Sequence, residues 1–176
     1  MTDEARIERT EAGDVPRGEG WYVVNARDAN WIHSPELGSA VTFEGDARFE
    51  EYGINIQVLE PGQPNCMYHA EEGQEDFLVL SGECLLLVEG QERRLKAWDF
   101  FHAAPMTEHV FVGAGDGPCA ILMVGSRKDG ALVYPVSELA LHHGAGVEEE
   151  TSSGQEAYAR YDAPTQGPMR PGQLPG

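Results

Sequence analysis

The chain has 176 residues, 41% of them hydrophobic, and 30 acidic against 12 basic side chains for a formal net charge of −18. One globular domain with a true core is expected, and a disordered chain is excluded. Nucleic-acid binding and an anionic membrane surface both need a basic face, and only Arg93, Arg94 and Lys96 are basic between Ile54 and Gly125.

Residues 1–20 are polar and acidic without apolar periodicity, so they read as an N-terminal arm or a disordered segment, neither a secretory signal nor a presequence. Residues 21–53 scatter Trp21, Trp31, Phe43, Phe49 and Tyr52 among polar residues, which predicts two or three irregular strands. From Ile54 the pattern is β. GINIQVLEPG sets Ile54, Ile56 and Val58 at period two, and DFLVLSGECLLLVEGQERRL gives apolar runs split by Ser81-Gly82 and Gly90-Gln91. WDFFHAAP closes on Pro105, and HVFVGAGDGPCAILMVG is two runs about a glycine-rich hairpin turn. Gly113–Gly117 is only superficially similar to a dinucleotide loop, since no helix opens after it.

Cys119–Val124 is the longest apolar run, far short of the ~20 residues of a membrane helix. Ser137 is placed to cap a short helix through Leu141, and 148–158 could form another. Residues 161–176 are a Pro/Gly-rich tail expected to form neither helix nor strand. One domain at 21–160 follows, with its core motifs at 54–125. Cys66, Cys84 and Cys119 are odd in number and show no CxxC spacing, so reduced thiols and a cytoplasmic protein are expected. Strands apolar on both faces, such as Phe77–Leu80 and Leu85–Val88, call for a second covering layer and hence a homodimer.

The chemistry concentrates in PGQPNCMYHAEEGQEDFLVLSGE and in WDFFHAAPMTEHVFVG some thirty residues later. An extended His69–Glu71 segment would point both side chains from one face, with Glu75 opening the next strand and His109 a later one. Two imidazoles and two carboxylates at strand starts suit Fe, Mn, Zn or Ni and can leave positions open for a substrate. The bland alternative is two turn histidines and two solvated glutamates.

At these residues the sequence resembles the cupin family. The first cupin signature runs Gly, five residues, His-x-His, three or four residues, Glu, six residues, Gly; Gly62, His69, Glu71, Glu75 and Gly82 follow it. Asp99, Pro105 and His109 follow the second signature. The departures are Glu71 in place of the second His and six residues, not five, between Gly62 and His69. Trp98 and Met106 stand where the family has glycines, and Gly113 where it often has Asn.

The resemblance implies an all-β double-stranded β-helix, the cupin or jelly-roll barrel, with a divalent transition metal at one mouth. His69, Glu71, Glu75 and His109 would be the ligands, Glu71 serving as a base if it does not ligate. Met67, Phe77, Trp98, Phe101, His102 and Phe111 are the expected pocket residues, His102 being either a pocket acid/base or a hydrogen-bonded core histidine. Cys66 and Tyr68 could border that pocket, while His142 and His143 are expected on the surface. Two readings follow. One is a small-molecule metalloenzyme of oxygenase or isomerase type; the other is a non-catalytic metal- or ligand-binding module or sensor.

Overall fold

The alternation of Ile54, Ile56 and Val58 with Asn55 and Gln57 makes β5 (Tyr52–Leu59), a central strand of the larger sheet. The computed structural model describes residues 3–175. Ahead of β5 come β1 (Arg6–Thr10), β2 (Gly13–Arg17), β3 (Trp31–Ser34) and β4 (Gly38–Thr42). Behind it follow β6 (Ala70–Glu71), β7 (Glu75–Ser81), β8 (Glu83–Val88), β9 (Gln91–Lys96), β10 (Phe100–Ala103), β11 (His109–Ala114) and β12 (Cys119–Ser126). The chain finishes with β13 (Leu132–Val133), α1 (Glu138–His142), α2 (Gly154–Ala157) and β14 (Thr165–Gly167).

A seven-stranded antiparallel sheet runs β10-β7-β12-β5-β4-β3-β14, and a three-stranded sheet runs β11-β8-β9. Their inner faces meet in one apolar core: Leu59, Phe77, Val79, Ile121 and Met123 from the first sheet pack with Cys84, Leu86 and Phe111 from the second. This is the expected all-β double-stranded β-helix. Among the described residues no helix is long and apolar enough to cross a membrane.

The outer faces are covered largely by the chain itself. Ala29, Trp31, Val41, Val58 and Ala120 form a buried cluster against which Val24, Ala26, Met169 and Leu174 pack. On the smaller sheet, Leu87, Val110 and Val112 are buried against Tyr68, Leu139, Ala140 and Ala145. The premise that a second subunit must cover both faces is therefore met in large part by segments flanking the core motifs. Ser137 caps α1 as expected, its hydroxyl accepting from the Ala140 N–H at 3.2 Å.

Both termini are more regular than their composition suggests. β1 and β2 form a hairpin over 6–17, although half of those residues are charged. Its turn is set by the Thr10 hydroxyl donating to the Gly13 carbonyl (2.7 Å) and by Gly13 at φ 124°, a conformation open to glycine. The tail expected to lack strand contains β14, paired with β3 through Gln166↔Ile32, because backbone pairing needs no apolar pattern.

Candidate metal centre

His69, Glu75 and His109 are brought together by strand ends. Glu75 opens β7, and its face continues inward through Phe77. His109 opens β11, and His69 faces it across a single antiparallel bridge: the His109 N–H donates to the His69 carbonyl at 2.9 Å, and the His69 N–H to the His109 carbonyl at 3.2 Å.

Each imidazole is oriented by a carbonyl two residues before it. His69 Nδ1 donates to Met67 O (2.9 Å) and His109 Nδ1 to Thr107 O (3.0 Å). The tautomer is thereby set, and both Nε2 lone pairs face Glu75 Oε2, at 3.8 Å from His69 and 3.3 Å from His109. Among the described residues these three side chains form the one group of ligating atoms lying within 4.8 Å of one another.

These approaches are not ion pairs. Burial, and then the neighbouring His69, push the His109 imidazole down to about 4, while burial lowers His69. Both rings are therefore neutral acceptors at neutral pH. Burial, and then the Glu71 charge, push the Glu75 carboxyl up to about 8. Glu75 Oε2 is buried with no hydrogen-bond partner. Two imidazole nitrogens and a carboxyl oxygen converging on one point, the oxygen without a hydrogen-bond partner, suit a divalent cation.

Beside the donors lies a cavity of about 360 Å³, walled by Asn55 and Gln57 of β5, Phe77, Glu71, Tyr134 and Tyr158. Gly53 and Gly125 are register partners on its floor, and a Cβ on Gly125 would stand 3.5 Å from the Glu75 carboxylate. Cys66 also lines it, its Sγ 3.6 Å from His69 Nδ1, and burial raises that thiol well above its ordinary range.

Glu71 lines the same cavity but stands outside the three-donor cluster. Its backbone pairs with Leu132, and its carboxylate folds back toward Gly73, whose absent Cβ would be 2.6 Å from Glu71 Oε1. Of the four residues expected as ligands, His69, Glu75 and His109 form the cluster and Glu71 stands beside it. Phe77 lines the cavity, while Phe101 and Phe111 stack behind it, with ring centroids 5.7 and 4.8 Å from Phe77.

Three expected pocket residues lie elsewhere. Met67 is buried with Tyr134, Val147 and Ala157 and lines a separate cleft of about 570 Å³ between residues 146–151 and α2. His102 points outward, its Nδ1 2.7 Å from Asp76 Oδ1 on the neighbouring strand, so it is neither core nor pocket. Trp98 is 75% exposed in the turn before β10. It and Met106 have φ of 75° and 64°, so both positions where the family pattern has glycine keep the left-handed backbone that glycine favours.

Asn55, Gln57, Asn65, Arg127, Tyr134 and Tyr158 line the cavity without having been singled out. The polar residues alternating with isoleucines in β5 were a signal for Asn55 and Gln57. Tyr134 and Tyr158 reach the site from connections that carry no periodicity.

Residues 55–125 match the Cupin_2 family model, described as Cupin domain. No curated protein matches the chain by sequence. Among solved structures, a sugar phosphate isomerase from a cupin superfamily of Silicibacter pomeroyi is 20% identical, with a TM-score of 0.50 over 85% of this chain and 86% of that one. The polyketide cyclase RemF from Streptomyces resistomycificus is 16% identical, with a TM-score of 0.54 over 61% and 80%. A putative sugar phosphate isomerase from Acidithiobacillus ferrooxidans is 23% identical, with a TM-score of 0.45; 55% of this chain covers 64% of that protein. These likenesses concern the fold. Family match, sheet order and paired signatures agree on one stretch: residues 55–125 match a cupin domain.

Proposed function

We propose that the protein is a metal-dependent enzyme acting on a small molecule, with chemistry of isomerase or oxygenase type. The observation that carries this reading is the convergence of His69 Nε2, His109 Nε2 and Glu75 Oε2 at the wall of a cavity. Three protein ligands leave coordination positions open, which is the arrangement of a catalytic site rather than a closed structural one. Bound there, Fe, Mn, Zn or Ni would supply Lewis acidity toward a ligand oxygen.

The chain's own residues do the rest. Met67 O and Thr107 O hold the imidazoles, Phe77 with Phe101 and Phe111 behind it forms a dry wall, and Glu71 faces the ligand space as a carboxylate able to exchange a proton with it. Metal analysis of protein grown in metal-supplemented medium tests the reading, and less than about a tenth of an equivalent would reject it. Stoichiometric metal without turnover of any small-molecule panel would favour the binding-module reading.

The reading includes a cytoplasmic protein with free thiols and a homodimer. Phe100, Leu78, Leu122 and Ile56 form one cross-strand row on the outer face of the larger sheet, running to its open edge at β10. Phe100 is 63% exposed there, beside Trp98. Such an aromatic edge is a natural place for a second copy.

A further inference from the structure

The wall of the metal cavity has a charge balance that selects among ligands. Arg127 is the one basic residue lining it among the described residues, and its charge is committed elsewhere. Its Nη1 lies 2.6 Å from Glu44 Oε1 and donates to Phe49 O at 2.6 Å, while Nη2 donates to Glu44 Oε2 at 2.8 Å. Glu71 and Glu75 are the carboxyl groups of the wall, and His69 and His109 turn their Nε2 atoms toward Glu75. A divalent cation at the three donors balances those two carboxylates and leaves no positive charge over. A phosphate or carboxylate on the ligand would find no cationic side chain to receive it and would meet Glu71.

What the wall does offer is uncharged hydrogen bonding of both senses. Asn55 Oδ1 has no partner. Gln57 uses Nε2 on the Leu37 and Asn65 carbonyls (2.8 and 2.9 Å), which leaves its Oε1 as an acceptor. Tyr158 accepts from the Met67 N–H at 3.1 Å, which leaves its own phenolic O–H to give. Phe77 and Met123 supply apolar surface suited to C–H faces. The cavity, at about 360 Å³, stands at the small end of the range for small-molecule sites.

From these observations we infer that the cavity takes an uncharged, polyhydroxylated molecule of monosaccharide size, and that it rejects the phosphorylated or carboxylated counterparts. Asn55 is the residue that reads a ligand hydroxyl. The inference rests on the metal site proposed above, because the metal's two charges are what make the site neutral.

Saturation-transfer difference NMR on zinc-loaded, full-length protein tests it, using aldopentoses, aldohexoses and linear polyols beside their phosphate esters and aldonic acids. At least one neutral member is expected to give a signal about fivefold or more above its ester and its acid. Asn55→Leu is expected to lower that signal about tenfold with zinc content unchanged, whereas the near-isosteric Asn55→Asp, which keeps an acceptor oxygen, is expected to retain it. An ester or acid that matches its neutral parent overturns the inference, as does silence from every neutral member, or a signal retained in Asn55→Leu or lost in Asn55→Asp. Zinc measured on the same samples separates the two readings. Zinc below about a tenth of an equivalent rejects the metal site, whereas one equivalent with an ester preferred rejects the ligand class alone.

Discussion

Metal uptake at neutral pH should release about one proton, and the proton comes from Glu75. In the metal-free protein, burial and the Glu71 charge hold this carboxyl at about 8, so about nine molecules in ten carry the proton at pH 7. The imidazoles contribute none, since His109 is held at about 4 and His69 is lowered. Calorimetric titration with zinc in two buffers of different ionisation enthalpy reads the number directly: about 0.9 protons at pH 7, falling to about 0.1 at pH 9, with affinity weakening about tenfold per unit below pH 7.

The same shifts act on the metal-free fold with opposite signs. A raised carboxyl stabilises the folded state below its unfolded value near 4.5, and that stability is lost as pH rises through about 8. The depressed His109 stabilises above 6.5, and that stability is lost as pH falls through about 4. The two oppose each other from 4.5 to 6.5, and from 6.5 to 8 only Glu75 remains. Metal-free protein should therefore lose about 1–2 kcal/mol over that upper window, a figure reduced for the partial exposure of Glu75, while the metal-loaded form should not. Zinc binding without proton release at pH 7, or metal-free stability that is flat from pH 6.5 to 8, would refute the placement of Glu75 at the centre.

Glu75→Gln should abolish stoichiometric metal binding, whereas Glu71→Gln should keep one equivalent; elemental analysis of the two variants decides whether Glu71 ligates. Ending the chain before Thr165 removes β14 and uncovers Trp31 and Val41 by taking away Met169 and Leu174, which should cost about 2–4 kcal/mol in a urea titration. Trp98→Gly relieves a left-handed backbone at φ 75° and should stabilise the monomer by about 1 kcal/mol. The same change should weaken self-association about tenfold or more by light scattering if Trp98 anchors the β10 edge.

The core strands were legible because their chemistry is local. Period-two alternation marks β5, and Ser81-Gly82 and Gly90-Gln91 mark the turns that flank β8; Gly82 and Gly90 have φ of 73° and 70°. The candidate donors were legible because Glu75 and His109 open strands and His69 stands immediately before one. What escaped depends on long-range placement. The period-two rule puts His69 and Glu71 on one face, but His69 bridges to His109 while Glu71 pairs with β13, and the two carboxylates part. FFHA is apolar enough on both faces that nothing local says Phe101 faces in and His102 out; pairing with Phe77 and Asp76 decides it. The hairpin at 6–17 and the tail strand are held by backbone hydrogen bonds, which leave no hydrophobic period to read. The termini then cover the sheet face that seemed to require a partner.

Metal-edge X-ray absorption on the purified full chain, with the metal quantified in the same sample, tests the central claim most directly. One metal per chain is expected, its first shell containing two imidazoles at about 2.0–2.1 Å and carboxylate oxygen, with at least one remaining position held by an exchangeable light atom. A sulfur ligand from Cys66, three imidazoles, or less than about a tenth of an equivalent of any transition metal would contradict it.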